Sequence, residues 1–369
     1  MRKKPDVYAV IMAGGGGTRF WPWSREERPK QLLPILSDRS MIWETVERIR
    51  PFVPAPKIFI VTSRTQAAQI RREVPQIPKR NLLVEPMGRN TAPCLCLAAW
   101  SIQMLNPESI MVTLPADHHI ADQRGFLRTL RTAVAFADRH DFLVTLGIRP
   151  TAPETGYGYI QRGKILGQVG ATKVFQAQAF REKPDLKRAK AYLRRGNHSW
   201  NSGMFIWKVG VYLEAVKKFL PRLYEDMLAL PKAWGTQREE KFLERVYQRC
   251  PSISVDYGIM EKAKNVALIE ARFRWDDVGS WSALRDFRPK DQYGNACILG
   301  KQPGGGKILA VDSAGCVIQG EKKLIAVLGM KDTVIVEAGD VLLVCPLKRS
   351  QEVRRLLEEL KQKGWKKYL

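Results

Sequence analysis

Val7-Tyr-Ala-Val-Ile-Met12 runs straight into Ala13-Gly-Gly-Gly-Gly-Thr-Arg-Phe-Trp-Pro-Trp-Ser-Arg-Glu-Glu-Arg-Pro-Lys-Gln-Leu-Leu-Pro34. The first six residues are apolar and partly β-branched, the pattern of a strand buried on both faces of a parallel sheet. Four consecutive glycines after such a strand allow backbone N–H groups to approach a phosphate chain without side-chain interference. Thr18 adds a hydroxyl, Arg19 a guanidinium fork and Lys30 a point charge to the same stretch. The loop lacks the Gly-Lys-Ser/Thr ending of a P-loop and the spacing of a dinucleotide fingerprint. Taken alone, a glycine run reads equally well as a plain tight turn.

Working outward, further buried-strand patterns lie at 58–62, 110–114 and 142–146, with helical patterns at 40–50, 90–104 and 124–139 between them. Strands alternating with helices predict an α/β domain, Rossmann-like, with a mostly parallel sheet. After Pro289 the pattern changes to short β runs at 307–311, 324–328, 333–336 and 341–344, set off by Gly, Asp and Lys turns. These predict a small β-solenoid piece. A terminal amphipathic helix follows, with Val353, Leu356, Leu357 and Leu360 on one face. The expected division is a catalytic domain over 1–290 and a β domain with a C-terminal helix over 291–369.

The chain has 369 residues, 45% of them hydrophobic and 27% charged, enough for a folded core and against wholesale disorder. No run reaches the ~18 apolar residues of a membrane helix, and no apolar signal core follows the basic start, so a cytoplasmic protein is expected, with no membrane partner. A net charge of +24 raises nucleic acid as a partner. The basic residues are spread along the chain without an arginine tail or lysine tract, so phosphorylated small molecules are expected instead, with no nucleic acid. The six cysteines show no zinc spacing, and reduced thiols are expected.

The longer string Gly-Gly-x-Gly-x-Arg-Phe-Trp-Pro-x-Ser-Arg, followed by Pro29-Lys30-Gln31, resembles the signature of the sugar-nucleotide pyrophosphorylases, in particular their mannose-1-phosphate guanylyltransferase branch. Further segments match in that family's order: Glu85-Pro-Met-Gly-Arg-Asn-Thr-Ala-Pro93, Leu114-Pro-Ala-Asp-His-His-Ile120, Thr155-Gly-Tyr-Gly-Tyr-Ile160, Arg181-Glu-Lys-Pro184, Trp200-Asn-Ser-Gly-Met-Phe205, Ser254-Val-Asp-Tyr-Gly-Ile-Met-Glu261 and Trp275-Asp-Asp-Val-Gly-Ser-Trp281. The resemblance spans residues 7 to about 290. It implies attack of mannose 1-phosphate on the α-phosphorus of GTP, giving GDP-mannose and pyrophosphate. It also implies a left-handed β-helix in the tail and a homodimer joined through it. The chain is short for the fused isomerase domain of longer relatives, so mannose-6-phosphate isomerase activity is not expected. Trp23 stands where the family usually has Leu, a packing position.

The resemblance carries nucleotide and pyrophosphate binding onto Gly14, Gly15, Gly17, Thr18, Arg19 and Lys30. Nucleotidyl transfer joins two anions, so charge neutralisation and in-line positioning matter more than acid–base work, and no nucleophilic side chain is needed. Mg²⁺ is the implied cofactor, and it favours one or two carboxylates plus phosphates. Asp117, just past a strand, and Asp277, which the family match selects over Asp276, are the candidate ligands. A turn-forming aspartate is the competing reading of Asp117; His118 and His119 are read as orienting the loop. Lys183 is the candidate for the sugar phosphate, Glu182 for sugar hydroxyls, Asn201 and the Gly158 backbone for the hexose, though a Glu–Lys pair also occurs as a solvated surface feature. Guanine offers two adjacent donors, N1–H and N2–H, which one carboxylate accepts together. Glu85 is the candidate reader, or else a salt-bridged loop residue, with Gly88, Asn90 and Thr91 lining base or ribose.

Overall fold

The computed structural model describes residues 4–15, 17–300 and 306–369; Gly16 of the glycine run lies outside them. Strand Val7–Ala13 forms as its pattern predicts and lies inside a nine-stranded sheet, between parallel neighbours on both sides. Ala9 is in register with Ile58 on one side and Val112 on the other. A strand covered on both faces gains from continuous Val, Ile and Ala rather than alternation.

The sheet order, by range, is Leu82–Glu85, Ile58–Ser63, Val7–Ala13, Ile110–Pro115, His198–Lys208, Leu143–Ile148, Val266–Glu270, Thr172–Arg181 and Tyr159–Val169. The first four strands are mutually parallel. His198–Lys208 inserts between Ile110–Pro115 and Leu143–Ile148 and runs antiparallel to both, with Ile206 opposite Val112 and Val144. The long hairpin Tyr159–Val169 and Thr172–Arg181 completes the far edge. Helices Thr91–Leu105 and Gln123–Arg139 fall where their patterns predict. The second starts at Asp122, whose side chain accepts from Gly125 N at 2.9 Å, satisfying one of the orphan donors of a helix start.

The chain divides into two compact units that interleave along the sequence, whereas the division expected at residue 290 is linear. The first comprises Met1–Gly14, Thr45–Ala116 and Ile120–Trp275; the second Gly15–Glu44, Asp117–His119 and Asp276–Leu369. The first holds the nine-stranded sheet. Its core is anchored by Phe205, Trp207 and Tyr212, with Trp207 and Tyr212 stacked at 4.5 Å. Each such ring buries enough apolar surface for ~4–6 kcal/mol, an upper bound against an extended chain. These aromatics are packing residues.

The second unit wraps Phe20, Trp21, Trp23, Trp281 and the β-domain residues Val317, Val334 and Val336 into one core. Trp23 stacks on Trp281 at 6.0 Å, so it packs as its position predicts. Short strands Ala296–Leu299, Val317–Gly320 and Thr333–Ala338 stack in parallel, and Lys307–Val311 pairs in parallel with Leu324–Leu328. This two-sided stacking of short rungs is a β-helix. Helix Val353–Gln362 lies on the unit's core through Val353 and Leu357, with Leu360 partly covered. Leu356, expected on that face, is 43% exposed, because the contact is a narrow i, i+4 stripe.

Candidate active site

The second unit places the cationic residues of the loop on the two aspartates predicted as metal ligands. Gly17 has φ +55°, and a β-carbon there would lie 2.5 Å from Lys30 N and 3.0 Å from its Cα. Only glycine meets both demands. Ser24 Oγ donates to Gly17 O at 2.8 Å and Gln31 Nε2 to Gly15 O at 3.0 Å, bracing the loop from below. Thr18 opens the 3-10 turn Thr18–Phe20 that follows.

Lys30 is 6% exposed, and its ammonium makes three contacts: Asp117 Oδ2 at 2.8 Å, Asp117 O at 2.9 Å and Asp277 O at 2.5 Å. An ammonium has three donors, so all are used within the chain. Lys30 therefore ties the Asp117 turn to the Asp277 turn. Burial pushes the Asp117 carboxyl up, but Lys30 and His118 outweigh it and hold the pKa below 3.8, keeping the carboxylate ionised. Arg19 Nη1 lies 3.9 Å from Asp277 Oδ2 and donates to Gly279 O at 3.3 Å. The neighbouring Asp276 instead accepts from Val278 N at 2.6 Å, closing a turn in which Val278 has φ +46°; burial raises its pKa to about 6. His119 packs against Phe287 at 4.7 Å, a contact suited to orienting the turn.

Ionised Asp117 with Asp277 gives two hard oxygen donors, and no group of three or more metal-ligating side chains exists among the described residues. That donor set fits an ion completed by phosphate oxygens and water, as Mg²⁺ is commonly held.

The first unit carries two further clusters. Glu85 ends strand Leu82–Glu85, is 5% exposed, and accepts from Tyr247 Oη at 3.1 Å through Oε1. Burial pushes its pKa up to about 7, opposed by the Tyr247 hydrogen bond. It forms no salt bridge, so the competing reading of a salt-bridged loop residue does not hold among the described residues. A β-carbon on Gly14 would lie 3.2 Å from Glu85 Oε2, so the glycine lets the strand end approach that carboxylate. Arg89 Nε donates to Tyr247 O at 2.7 Å, fixing the segment after Glu85 to the same helix, Glu239–Arg249. Gly88 is open to solvent; Asn90 caps helix Thr91–Leu105 through Thr91 N at 2.9 Å, and Thr91 Oγ1 accepts from Val255 N at 2.9 Å.

The other cluster gathers Gly158, Glu182, Lys183 and Asn201. A β-carbon on Gly158 would collide with Glu182 Oε2 and reach 3.1 Å from Asn201 Cβ, so the glycine keeps that space clear. Glu182 Oε2 is buried without a hydrogen-bond partner among the described residues. Burial first, then Asp256, raises the Glu182 pKa to about 7, while Lys183, 3.5 Å from Oε1, pulls it down. Lys183 has φ +47°, a strained conformation for a non-glycine residue and one that concentrates at functional positions. Asn201 Nδ2 donates to Asp256 Oδ1 at 2.8 Å and its Oδ1 accepts from Gly203 N at 3.1 Å, which fixes the amide and leaves one N–H for a ligand.

Three residues of these clusters were not singled out from sequence. Asp256 and Glu261, which accepts from Glu182 N at 2.9 Å, lie in the quoted segment 254–261, and their acidity was the available signal. Tyr247 had none, since it sits among the apolar positions Leu243 and Val246 of its helix.

The nucleotidyl transferase family model matches residues 8–293, most of the chain, which makes the protein a nucleotidyltransferase. The model of the mannose-phosphate isomerase/GMP-like β-helix domain matches residues 306–360. A mannose-1-phosphate guanylyltransferase of Klebsiella pneumoniae is 39% identical over 362 residues, covering 97% of this chain and 75% of the relative. One of Escherichia coli is 39% identical over 356 residues, covering 96% and 74%. A solved structure from Thermus thermophilus, named mannose-1-phosphate geranyltransferase, is 36% identical with a TM-score of 0.85 over 96% of this chain and 99% of that one. The chain belongs to the mannose-1-phosphate guanylyltransferase family. No helix among the described residues is long and apolar enough to cross a membrane.

Proposed function

We propose that the chain transfers GMP from GTP to α-D-mannose 1-phosphate, giving GDP-mannose and pyrophosphate. The observation that carries this reading is the Glu182 cluster. A buried carboxylate oxygen without a partner, a fixed amide and one lysine beside them suit a ligand with hydroxyls at one end and a phosphate at the other. The family's named substrate, mannose 1-phosphate, has that chemistry.

A phosphate monoester oxygen is already ionised near neutral pH, so the reaction needs no side-chain nucleophile. Lys183 neutralises and orients the attacking phosphate. Glu182, when ionised, accepts from sugar hydroxyls, and Asn201 donates its remaining amide hydrogen. Arg19 and the N–H groups of Gly14, Gly15 and Gly17 bear on the triphosphate, whose β- and γ-phosphates must leave with their charge compensated. Lys30 acts by keeping Asp117 ionised and Asp277 in place. Mg²⁺, held by Asp117 and Asp277, would supply charge neutralisation at the phosphates. Glu85 accepts from guanine N1–H and N2–H, which a uracil edge cannot offer together. In a homodimer, the exposed β-domain strip Leu309, Val311, Leu324 and Leu328 would be covered.

Pyrophosphate release by the purified protein, with Mg²⁺, GTP and mannose 1-phosphate, tests the reading. Release should require both substrates and fall with UTP, ATP or glucose 1-phosphate. Turnover with a substitute pair alone would overturn the specificity, and no release with any pair would overturn the activity.

A further inference from the structure

Within the first unit, a cavity of about 470 Å³ is lined by Arg149, Arg162, Arg272, Tyr192, His198 and Ser199 and contains none of the residues assigned above to base or sugar. Its charge is one-sided. Arg162 is the one guanidinium of the three with a carboxylate, Glu270 at 2.9 Å. Arg149 and Arg272 have no ion pair or hydrogen bond among the described residues. They follow the C-terminal ends of two paired parallel strands, Arg149 just past Leu143–Ile148 and Arg272 just past Val266–Glu270. Like charges gathered on one concavity repel, a cost that an anion would relieve.

The wall between them is polar and prearranged. His198 is 7% exposed, stacks on the Tyr192 ring at 4.3 Å, and has a buried Nδ1 with no hydrogen-bond partner among the described residues. An unpaired buried ring nitrogen is unfavourable unless a ligand or water satisfies it. Burial and Arg195 lower the His198 pKa to about 4, so the ring is neutral and offers one donor and one acceptor. Ser199 adds a hydroxyl. A volume of this size exceeds bare phosphate and suits a small metabolite.

We propose that this cavity is a second ligand site, separate from the catalytic clusters, for a phosphomonoester-bearing metabolite whose phosphate is held by Arg149 and Arg272. The site touches the sugar cluster through the backbone. Gln161 and Ile160 pair with His198 and Ser199, and two residues further along the same ladder Asn201 N donates to Gly158 O at 2.8 Å. Occupancy would therefore change the KM for sugar phosphate, a consequence that rests on the function proposed above; binding itself does not.

Isothermal titration with inorganic phosphate at fixed ionic strength tests it on the full chain. Relative to the unsubstituted protein, R149A/R272A should weaken one class of phosphate sites at least tenfold, leaving kcat without added phosphate within twofold. R71A/R72A, which removes the same charge from an exposed helix, and K183A should leave that class intact. An unchanged isotherm in R149A/R272A overturns the proposal. So does equal weakening in R71A/R72A, which would mean diffuse charge, or loss in K183A instead, which would put the phosphate in the sugar cluster.

Discussion

Replacing Lys30 by methionine keeps an unbranched stem, one atom shorter, and removes the charge and three hydrogen bonds. The Asp117 carboxylate then loses its cation, and the carbonyls of Asp117 and Asp277 lose their donor. Breaking a buried pair by deleting one partner costs about 3–5 kcal/mol. Lys30 is buried but the Asp117 side chain is 36% exposed, so water takes up part of the uncompensated charge and the lower end, about 3 kcal/mol, is expected. At about 2.1 cal/mol/K per residue a chain of 369 residues loses ~1.3 °C per kcal/mol, so the melting temperature falls by roughly 4 °C. The pH dependence separates this from a generic packing loss. Asp117 has a folded pKa below 3.8, so its contribution is full above the unfolded value and is lost as pH falls through the folded one. Without Lys30, burial pushes the same carboxyl up, and protonation relieves the variant. The deficit measured by urea unfolding should therefore be largest at pH 7 and shrink toward pH 4.5. In a double-variant cycle with Asp117→Asn the two losses should couple by ~2 kcal/mol. A deficit under ~1 kcal/mol at pH 7, or one that does not move with pH, would refute the assignment of Lys30 as the tie between the two turns.

Gly17→Ala should destabilise the loop by ~1–3 kcal/mol and depress turnover, since its β-carbon meets the Lys30 backbone and φ is +55°; thermal unfolding and steady-state rates check both. Tyr247→Phe removes the hydrogen bond that opposes the rise in the Glu85 pKa, so the ionised reader appears only at higher pH and the acid limb of the kcat/KM profile for GTP should move upward from about 7. Gly158→Ala should raise the KM for sugar phosphate at least tenfold with a smaller change in that for GTP, because the new methyl fills the space beside Glu182 and Asn201. In the unsubstituted enzyme that same KM should fall as pH rises through about 7, as Glu182 gains its charge.

Three strands of the parallel half, Val7–Ala13, Ile58–Ser63 and Ile110–Pro115, were legible because they are buried on both faces and read as continuous apolar runs; the edge strand Leu82–Glu85, with alternate residues only partly buried, was not. His198–Lys208 was not. Its first half, His-Ser-Trp-Asn-Ser-Gly, is mostly polar, and only Met204–Trp207 has the composition of a central strand. Likewise Tyr159–Val169 is half exposed, with Arg162 and Lys164 in it, so neither alternation nor a run stands out. The interleaving of the units was beyond periodicity for another reason. Trp21, Trp23 and Leu33 read as loop residues, and what gives them a core is Trp281, more than 240 residues later.

The site divides along the same line. Residue types that chemistry requires, Lys30, Asp117, Glu182 and Glu85, announce themselves within motifs, but their protonation states do not. Carboxyls of similar intrinsic acidity end up in opposite states of readiness. Asp117 is held ionised by a cation that its own fold supplies, and nothing about substrate is needed to charge it. Glu85 and Glu182 are buried with too little positive charge, and each is poised near 7 with acceptor capacity left over. For a residue proposed to hold Mg²⁺, permanent charge is the useful state. For one that reads donors on a base or a hexose, an undersatisfied carboxylate is useful, because a ligand presenting N–H or O–H groups at those oxygens stabilises the ionised form, and one presenting lone pairs leaves a buried charge unmet. On the proposed function, discrimination at Glu85 and Glu182 comes from the penalty for the wrong ligand, and it should weaken for both when the carboxylate is replaced by the neutral amide.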